Sequence, residues 1–231
     1  MLYAGGIIAI LRYVEAGSTI LTVNEIYASI QGESSHAGRP CVFVRLTGCN
    51  LRCTWCDTEY AFYDGRRMTI DDVMRRIDTY RLPLVEITGG EPLLQPGCAI
   101  LAELLLSKGK TVLVETSGAL PINVLPPGTI RIMDIKCPGS GESEKMDWRN
   151  LQWLTSHDEV KFVVANRTDY EWSRDVIGRH DLTRICPVLI STAYGRLAPD
   201  EVAGWILADR LDVRFQLQWH KYIWDSGTRG V

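Results

Sequence analysis

The sequence predicts an α/β protein whose parallel strands form a partial, open β/α barrel. Short runs rich in Val and Ile alternate with amphipathic stretches along most of the chain, and this alternation is typical of a parallel sheet covered by helices. Most of the runs are apolar almost without a break, as expected for strands buried on both faces. The chain has 231 residues, whereas a complete eight-fold barrel typically takes about 250, so we expect fewer units.

The predicted strands are the apolar runs at residues 41–46, 84–88, 111–115, 130–135, 159–164, 185–190 and 213–217. The first predicted helix has Thr69 as its N-cap and Asp71 and Asp72 in its first turn, and it runs to about Tyr80. Side-chain oxygens and negative charge stabilise the amino end of a helix. The other predicted helices are residues 96–107, 148–155, 169–178 and 199–209.

Residues 1–22 are interpreted as an N-terminal extension and residues 23–231 as a single catalytic domain. The extension contains an apolar run from Gly5 to Leu11, but no basic residue precedes it, and seven residues are too few to cross a bilayer. We therefore expect a cytoplasmic protein without a membrane partner. The net charge of −3 gives no basic face, so nucleic acid is not an expected partner.

Three of the seven cysteines crowd into eight residues, at Cys49, Cys53 and Cys56. An odd number of cysteines does not indicate a disulfide framework, and this spacing indicates metal or cluster chemistry in a reducing cytoplasm. Three thiolates on one loop suit a [4Fe-4S] cluster and leave its fourth iron open. Such an open iron can chelate a small molecule through an amine and a carboxylate, which is how radical enzymes hold S-adenosylmethionine (SAM).

A structural zinc site is the alternative for this segment. Zinc takes four ligands, commonly as paired Cys-x-x-Cys units, and here there is one such pair with a third cysteine upstream. Cys41 is available as a fourth ligand, but it begins an apolar strand, where a small buried cysteine is usual. The cysteine segment also directly follows the predicted strand 41–46, where an active-site loop of a barrel belongs.

Three further predicted strands end in loops with polar or glycine residues. The loop Gly89-Gly90-Glu91-Pro92 offers backbone that can approach a ligand and a carboxylate for an ammonium group, or a plain turn. The loop Thr116-Ser117-Gly118 offers hydroxyls to a ribose or carboxylate, or a helix cap. Asp134 and Lys136 follow the next strand, and Lys136 is either a partner for a carboxylate or a solvated lysine. All three loops lie at carboxyl ends of strands.

Arg45 shares one face of its predicted strand with Cys41 and Phe43. An arginine on such a face is costly unless it is paired, and the strand itself contains no acidic residue. Two partners are equally compatible with the sequence. One is the carboxylate of an anionic ligand, which a guanidinium binds in bidentate fashion, and the other is a distant Asp or Glu.

These segments resemble the radical SAM superfamily and, more narrowly, the 7-carboxy-7-deazaguanine synthase family. The resemblance covers residues 23–231. It rests on Asn24-Glu25, Ile30-Gln31-Gly32-Glu33, Phe43-Val44-Arg45-Leu46-Thr47-Gly48-Cys49, Trp55-Cys56-Asp57-Thr58, Thr88-Gly89-Gly90-Glu91-Pro92, Glu115-Thr116-Ser117-Gly118, Gln216-Leu217-Gln218-Trp219-His220-Lys221 and Arg229-Gly230-Val231. The stretch Asp134-Ile135-Lys136-Cys137-Pro138 matches less closely, and Ser34 stands where glycine often follows Gln-Gly-Glu.

The resemblance implies a lyase that converts 6-carboxy-5,6,7,8-tetrahydropterin into 7-carboxy-7-deazaguanine with loss of ammonia, in queuosine and deazapurine biosynthesis. It implies hydrogen removal from C6 of the pterin and regeneration of SAM. It also implies Mg2+, a homodimer and a reductant such as flavodoxin.

Site residues follow from the resemblance by position. It implies Cys49, Cys53 and Cys56 as cluster ligands and Thr58 as the protein ligand of Mg2+. The implied SAM contacts are Trp55, Cys56, Asp57, Gly89, Gly90, Glu91, Ser117, Asp134 and Lys136. The implied substrate contacts are Ile30, Gln31, Gly32, Glu33, Arg45, Thr88 and Val231. Among these, Arg45 is expected to bind the substrate carboxylate, and the carboxylate of Val231 is expected to close the pocket.

Two other functions share part of this pattern. A radical SAM activase, which makes a glycyl radical on a protein partner, would share the cluster and the Gly-Gly-Glu loop, but it would not need Arg45. A non-enzymatic zinc or iron–sulfur module would have a closed fourth ligand and no affinity for SAM.

Overall fold

The structure is a computed structural model that describes residues 17–231. Its strands are β1 (Ile20–Ile30), β2 (Pro40–Leu46), β3 (Arg66–Thr69), β4 (Leu84–Gly89), β5 (Thr111–Thr116), β6 (Ile130–Asp134), β7 (Glu159–Val164), β8 (Val188–Thr192) and β9 (Arg214–Phe215). Its α-helices are α1 (Ile70–Asp78), α2 (Gly97–Ser107), α3 (Arg167–Arg179), α4 (Leu182–Ile185), α5 (Pro199–Asp209) and α6 (His220–Ile223). Short 3-10 turns occupy several of the connections.

The nine strands form one sheet in the order β3-β1-β2-β4-β5-β6-β7-β8-β9. Every neighbouring pair from β2 to β9 is parallel, whereas β1 runs antiparallel to both β2 and β3. The two end strands, β3 and β9, do not pair with each other within the described residues. The predicted open parallel β/α barrel is therefore confirmed, with an antiparallel edge added to it.

Helices cover the outer face of the sheet. Helix α1 buries Ile70, Val73, Met74 and Ile77, which lie at positions i, i+3, i+4 and i+7 and so form one apolar stripe. This stripe belongs to a core that also includes α2 and the outward-facing residues of β1, β2, β4 and β5. A second core joins α3 and α5 to β6, β7 and β8.

The inner face of the sheet changes from apolar to polar along each strand. On β4, Leu84 belongs to a small buried apolar cluster, whereas Glu86 and Thr88, which share its face, line a cavity. Neighbouring strands repeat this order with Leu113 and Glu115, and with Ile132 and Asp134. The carboxyl ends of the strands therefore carry the polar chemistry, while their beginnings close the barrel with packed apolar groups.

Several predicted boundaries differ from the structure. Residues 148–155, predicted as a helix, form a 3-10 helix over Trp148–Trp153. The strand predicted at 185–190 begins only at Val188, because α4 ends at Ile185 and Pro187 cannot donate to a ladder. The strand predicted at 213–217 is reduced to Arg214–Phe215. The other predicted strands and helices are present with ends shifted by at most two residues.

Two strands escaped prediction. The sequence of β1 mixes polar and apolar residues, and a register shift between Val23 and Glu25 breaks the period of two that identifies a strand. Strand β3 is only four residues long. Because β1 begins at Ile20 and pairs with β3 there, residues 20–22 belong to the sheet and not to the extension in which we placed them. The apolar run at residues 5–11 lies outside the described residues.

Two local expectations can be checked directly. Thr69 caps α1 as predicted, since its hydroxyl accepts a hydrogen bond from the backbone N–H of Asp72 at 3.1 Å.

Within residues 17–231, none of the helices combines the length and the apolar character needed to span a bilayer.

Ser34 adopts a backbone conformation that favours glycine. Its φ of 66° lies in the left-handed region, which costs a non-glycine residue about 1–2 kcal/mol. The residue is nevertheless buried, and its N–H donates to Gln216 Oε1 at 2.8 Å. The loop after β1 is therefore bound to the far end of the sheet through a backbone position that favours glycine.

We expect the variants Ser34→Val and Ser34→Gly to differ clearly in stability. A β-branched side chain is poorly tolerated at this φ, so Ser34→Val should lower the free energy of unfolding by about 2 kcal/mol or more. Ser34→Gly relieves the strain but loses the hydrogen bond from His36 N–H to Ser34 Oγ, which is 3.1 Å long, so its net change should stay within about 1 kcal/mol. Urea unfolding of both variants measures the difference, and equal stabilities would show that this backbone conformation is not kept in solution.

Candidate active site

A cavity of about 750 Å³ lies at the carboxyl ends of the parallel strands. Its wall combines the cysteine loop, the ends of β4, β5 and β6, residues 30–33 after β1, and residues 226–231. The cysteine loop and the ends of β4, β5 and β6 meet here because parallel strands place their carboxyl ends on one side of the sheet. Residues 30–33 come from the antiparallel strand β1, whose end lies beside the start of β2.

The seven cysteines fall into two groups. Cys49, Cys53 and Cys56 are free, partly exposed and line the cavity. Cys41, Cys98, Cys137 and Cys186 are free and buried, and none of them lines it. Burial raises the pKa of the Cys53 thiol to about 11 and also raises the pKa of Cys49. Cys41 is fully buried in β2 and is therefore not a fourth ligand beside the other three.

The arrangement of the three thiols fits a cluster better than a single ion. Among residues 17–231, no three His, Cys, Asp or Glu side chains converge in a way that could hold one metal ion. A structural zinc site needs four ligands around one ion. A four-iron cluster does not need such convergence, because each thiolate binds a different iron. Three partly exposed thiols on one loop at the edge of a cavity match that requirement.

The cysteine loop is held from several sides. The backbone N–H of Thr54 donates to the Ser140 carbonyl at 3.0 Å, and that of Arg52 donates to Glu142 Oε1 at 2.6 Å. From the loop after β8, the Arg196 guanidinium donates to the Thr54 carbonyl at 2.7 Å. These contacts fix the loop against the loops after β6 and β8 before any ligand is considered.

Close backbone packing explains the two glycines after β4. A Cβ atom at Gly89 would collide with the Leu46 carbonyl, and one at Gly90 would collide with the Gly48 carbonyl and the Cys49 side chain. Both glycines also line the cavity. Their first requirement is therefore the approach of the β4 loop to the cysteine loop, and their contact with a ligand remains a prediction.

Glu91 lies behind the cavity wall rather than on it. Its buried carboxylate accepts hydrogen bonds from Ser117 N–H at 2.8 Å, Ser117 Oγ at 2.6 Å, Thr116 Oγ1 at 2.9 Å and Leu93 N–H at 3.0 Å. These donors occupy the carboxylate that we expected to meet the ammonium group of SAM. In this structure Glu91 joins the ends of β4 and β5, and so holds Ser117 in the wall.

The other predicted SAM contacts lie on the cavity wall, namely Trp55, Cys56, Asp57, Ser117, Asp134 and Lys136. Lys136 Nζ donates to Asp134 Oδ2 at 2.8 Å, so this lysine is paired and only partly exposed. Asp57 is paired with Lys221 of α6 at 2.6 Å. Both ion pairs border the cavity. The pair of Asp57 and Lys221 joins the cysteine loop to α6, two segments that the sequence alone could not place together.

The predicted substrate contacts Ile30, Gln31, Gly32, Glu33, Thr88 and Val231 also line the cavity. Gln31 is buried, and its amide donates to the Glu86 carboxylate. Gly32 lies so close to His220 that a Cβ atom would collide with Nδ1 of the imidazole. Thr58, the predicted Mg2+ ligand, lines the cavity too, and its hydroxyl does not cap the 3-10 helix that follows it.

Arg45 has the acidic partner that its own strand lacks. Its Nε donates to Glu25 Oε1 at 2.8 Å, and its Nη2 donates to Tyr27 Oη at 3.1 Å. Glu25 lies opposite Arg45 across the β1–β2 ladder, so the ion-pair alternative is realised through the strand that we did not predict. Arg45 also lines the cavity, and within residues 17–231 its Nη1 makes no hydrogen bond, which leaves it available to a ligand.

Several residues of the site were missed as individual side chains, among them Glu86, Glu115, Lys161 and His220. Burial raises the pKa of Glu86 well above its usual value and lowers the pKa of His220. The first three interrupt otherwise apolar predicted strands, and that interruption was a usable signal. His220 lies outside the parallel strands, so only the fold brings it to the cavity.

Comparisons with known proteins agree with this geometry. Residues 43–133 match the family model of the Radical SAM superfamily. The chain is 45% identical to the 7-carboxy-7-deazaguanine synthase of Koribacter versatilis over 226 residues, covering 91% of this chain and 100% of that protein. It is also 45% identical to the enzyme of the same name from Chlorobaculum tepidum over 214 residues, covering 91% of this chain and 97% of that protein.

A solved structure supports the fold. The crystal structure of QueE from Escherichia coli superposes with a TM-score of 0.74 at 21% identity and covers 89% of this chain and 97% of that one. The fold, the three cavity-lining cysteines and the relatives, which match over nearly their whole length, all agree. The chain therefore belongs to the 7-carboxy-7-deazaguanine synthase family of the radical SAM superfamily.

Proposed function

We propose that this protein converts 6-carboxy-5,6,7,8-tetrahydropterin into 7-carboxy-7-deazaguanine and ammonia, as the names of its relatives suggest for their product. The observation that carries the proposal is that the cluster cysteines and nearly all the predicted cofactor and substrate contacts line one cavity. The comparisons favour neither an activase nor a non-enzymatic metal-binding module.

The cofactors follow from the family. Radical SAM enzymes use a [4Fe-4S] cluster and SAM, which when bound supply the removal of a hydrogen atom from the substrate. Cys49, Cys53 and Cys56 would hold the cluster. We assign SAM to a set of side chains and backbone groups, namely those of Trp55, Asp57, Gly90, Ser117 and the pair of Asp134 and Lys136. Glu91 would hold Ser117 in place from behind the cavity wall.

The substrate is assigned to the opposite side of the cavity. Arg45 would bind its carboxylate through the guanidinium edge that Glu25 and Tyr27 leave open. The ring would lie against Ile30, Gln31, Gly32, Glu33 and Thr88, and Val231 would help to close the pocket. Thr58 is assigned to Mg2+, since a hydroxyl and the substrate carboxylate are hard oxygen ligands of the kind that this cation prefers.

Other parts of the proposal rest on the resemblance alone. They are a homodimer, a flavodoxin-type reductant and the pathway assignment to queuosine or another deazapurine. A cytoplasmic location, and one catalytic domain preceded by an extension, are proposed from the sequence itself.

An anaerobic turnover assay tests the proposed function. The cluster-reconstituted protein is mixed with SAM, dithionite, Mg2+ and 6-carboxytetrahydropterin, and the products are followed by mass spectrometry. We expect 7-carboxy-7-deazaguanine without net loss of SAM, and a lower rate when Mg2+ is omitted. Cleavage of SAM to 5'-deoxyadenosine without any deazaguanine would leave the cluster chemistry standing and reject the substrate.

A further inference from the structure

Lys161 is a buried cation on the cavity wall that no assigned role uses. Its side chain is 5% exposed, and it lies on β7 facing the inside of the barrel. Its Nζ donates to Glu33 Oε2 at 2.8 Å and to Glu115 Oε1, and it lies 3.6 Å from Asp134 Oδ2. One ammonium group thus joins the loop after β1 to β5 and β6.

The carboxylates around Lys161 outnumber the cations. Among the described residues that line the cavity, Glu33, Glu86, Glu115 and Asp134 interact with Lys161, and Lys136 is the lysine beside them. Burial raises the pKa of Glu115, and Lys161 opposes that rise. Burial also acts to raise the pKa of Glu33, but Lys161, Gln218 and His220 together lower it. The three contacting carboxylates in turn raise the pKa of Lys161 well above its usual value.

Two of the three contacted carboxylates are occupied by other protein donors as well. Glu33 Oε1 accepts from Gln218 Nε2 at 2.9 Å, and Asp134 Oδ2 accepts from Lys136. Glu115 differs, because within the described chain its Oε2 receives no hydrogen bond, and its side chain is 26% exposed to the cavity. Asp134 Oδ1 is also without a hydrogen-bond partner, but it is buried. Of the three carboxylates that contact Lys161, Glu115 is therefore the one with an unpaired oxygen on a partly exposed side chain.

Burying Lys161 together with these carboxylates costs free energy, which indicates that the arrangement has a role beyond stability. Desolvation of a buried ion pair tends to cancel its Coulomb attraction, and here several like charges are close together. A protein that needed only stability at this place would be as well served by apolar residues. The arrangement instead directs a carboxylate beside a buried cation into the cavity, which suits a ligand rich in N–H donors.

We propose that Lys161 is a positioning residue that holds Glu115 charged and directed into the cavity, so that Glu115 accepts a hydrogen bond from the N–H groups of the substrate's aminopyrimidine ring. This inference rests on the proposed function, because it takes the pterin as the ligand. It assigns the polar edge of the ring to β5 and β7, opposite the carboxylate that Arg45 is expected to bind.

A double-mutant cycle on ligand binding tests the inference. Wild type, Lys161→Met, Glu115→Gln and the double variant, each loaded with cluster and SAM, are titrated calorimetrically with 6-carboxypterin, a stable oxidised analogue of the substrate. We expect each single variant to bind at least tenfold more weakly. Because Lys161 acts through Glu115, the double variant should be no more than about threefold weaker than the worse single variant, whereas independent effects would multiply.

The pH dependence of binding gives a second readout. Removing the cation raises the pKa of Glu115 and Glu33, so the variant has its ionised acceptor only at higher pH. Glu86, Asp134, Lys136 and His220 also face this group, and they are present in every variant compared. The pH at which the affinity falls to half its maximum should therefore be higher for Lys161→Met than for wild type, and Lys161→Arg should restore most of the wild-type profile.

Arg131 provides a matched control. Its ion pair with Asp158 at 3.3 Å is also buried, but neither residue lines the cavity. Arg131→Met should lower the melting temperature without changing the affinity for 6-carboxypterin by more than about twofold. SAM affinity should change little in every variant, which shows that the site is still folded.

Several outcomes would overturn the inference. The first is an affinity of Lys161→Met for 6-carboxypterin equal to that of the wild type. The second is a loss of affinity in the double variant equal to the product of the two single losses. The third is an affinity of Lys161→Met that is weaker but has the same pH dependence as that of the wild type. If 6-carboxypterin binds to the wild type and binds to Lys161→Met with the same affinity, only the role of Lys161 is rejected. If the wild type neither binds the analogue nor turns over the pterin, the proposed function falls, and this inference falls with it.

Discussion

Replacing Cys53 with alanine is expected to abolish both cluster binding and turnover. Cys53 lies between Cys49 and Cys56 on the loop that borders the cavity, and two thiolates do not retain a cluster that three hold. The iron content after anaerobic reconstitution should fall from about four per chain to near zero. The visible absorbance of the iron–sulfur cluster and the reductive cleavage of SAM should disappear with it.

Cys98→Ala is the control for this experiment. Cys98 is fully buried in α2 and lies outside the cavity, so its loss removes a thiol without touching the cluster loop. We expect wild-type iron content and turnover from this variant, with a stability loss of about 1 kcal/mol for the small cavity that it leaves. If Cys53→Ala kept the iron content of the wild type, the ligand assignment would be wrong.

Replacing Arg45 with methionine is expected to have two separable effects. The first is on stability, because Glu25 loses the partner that it contacts at 2.8 Å, and removing one member of a largely buried ion pair costs on the order of 3 kcal/mol. The second is on the substrate. Hydrogen bonds to charged groups contribute about 1.5–3 kcal/mol, so the Michaelis constant for 6-carboxytetrahydropterin should rise by roughly ten- to a hundredfold, while the affinity for SAM stays unchanged.

The double variant Arg45→Met/Glu25→Gln separates these effects. It removes both charges, so it should recover most of the lost thermal stability. It should not recover the Michaelis constant, because the guanidinium that faces the cavity is still missing. Recovery of both properties together would mean that Arg45 serves only its ion pair with Glu25, and an unchanged Michaelis constant in Arg45→Met would reject its role as carboxylate receptor.

The parallel part of the fold was predictable because local signals there agree with one another. Strands buried on both faces have nearly continuous apolar runs, and an α-helix follows β4, β7 and β8. The antiparallel edge gave no such signal, since β1 has a register shift and β3 has four residues. Missing β1 had a consequence for the site, because Glu25 on that strand is the partner of Arg45.

The candidate site also contains residues that the sequence predicted and residues that it did not. The cysteine spacing, the two glycines after β4 and Arg45 are visible in sequence because each is an unusual residue type at the end of a predicted strand. Lys161 was visible only as one charge in an apolar run, and nothing local says that Glu33 and Glu115 lie against it. Glu91 shows the reverse case, since its loop was predicted correctly but its carboxylate turns away from the cavity.

By itself, the sequence determined the chemistry-bearing loop and the class of fold, because cysteine spacing and apolar periodicity are local properties of the chain. Only the tertiary structure decided which charges meet. Arg45 pairs with Glu25 across an antiparallel ladder, and Lys161 gathers carboxylates from three separate segments. The physical reason is that the strength of an ion pair depends on distance and burial, which are set by the packing of residues up to 164 positions apart.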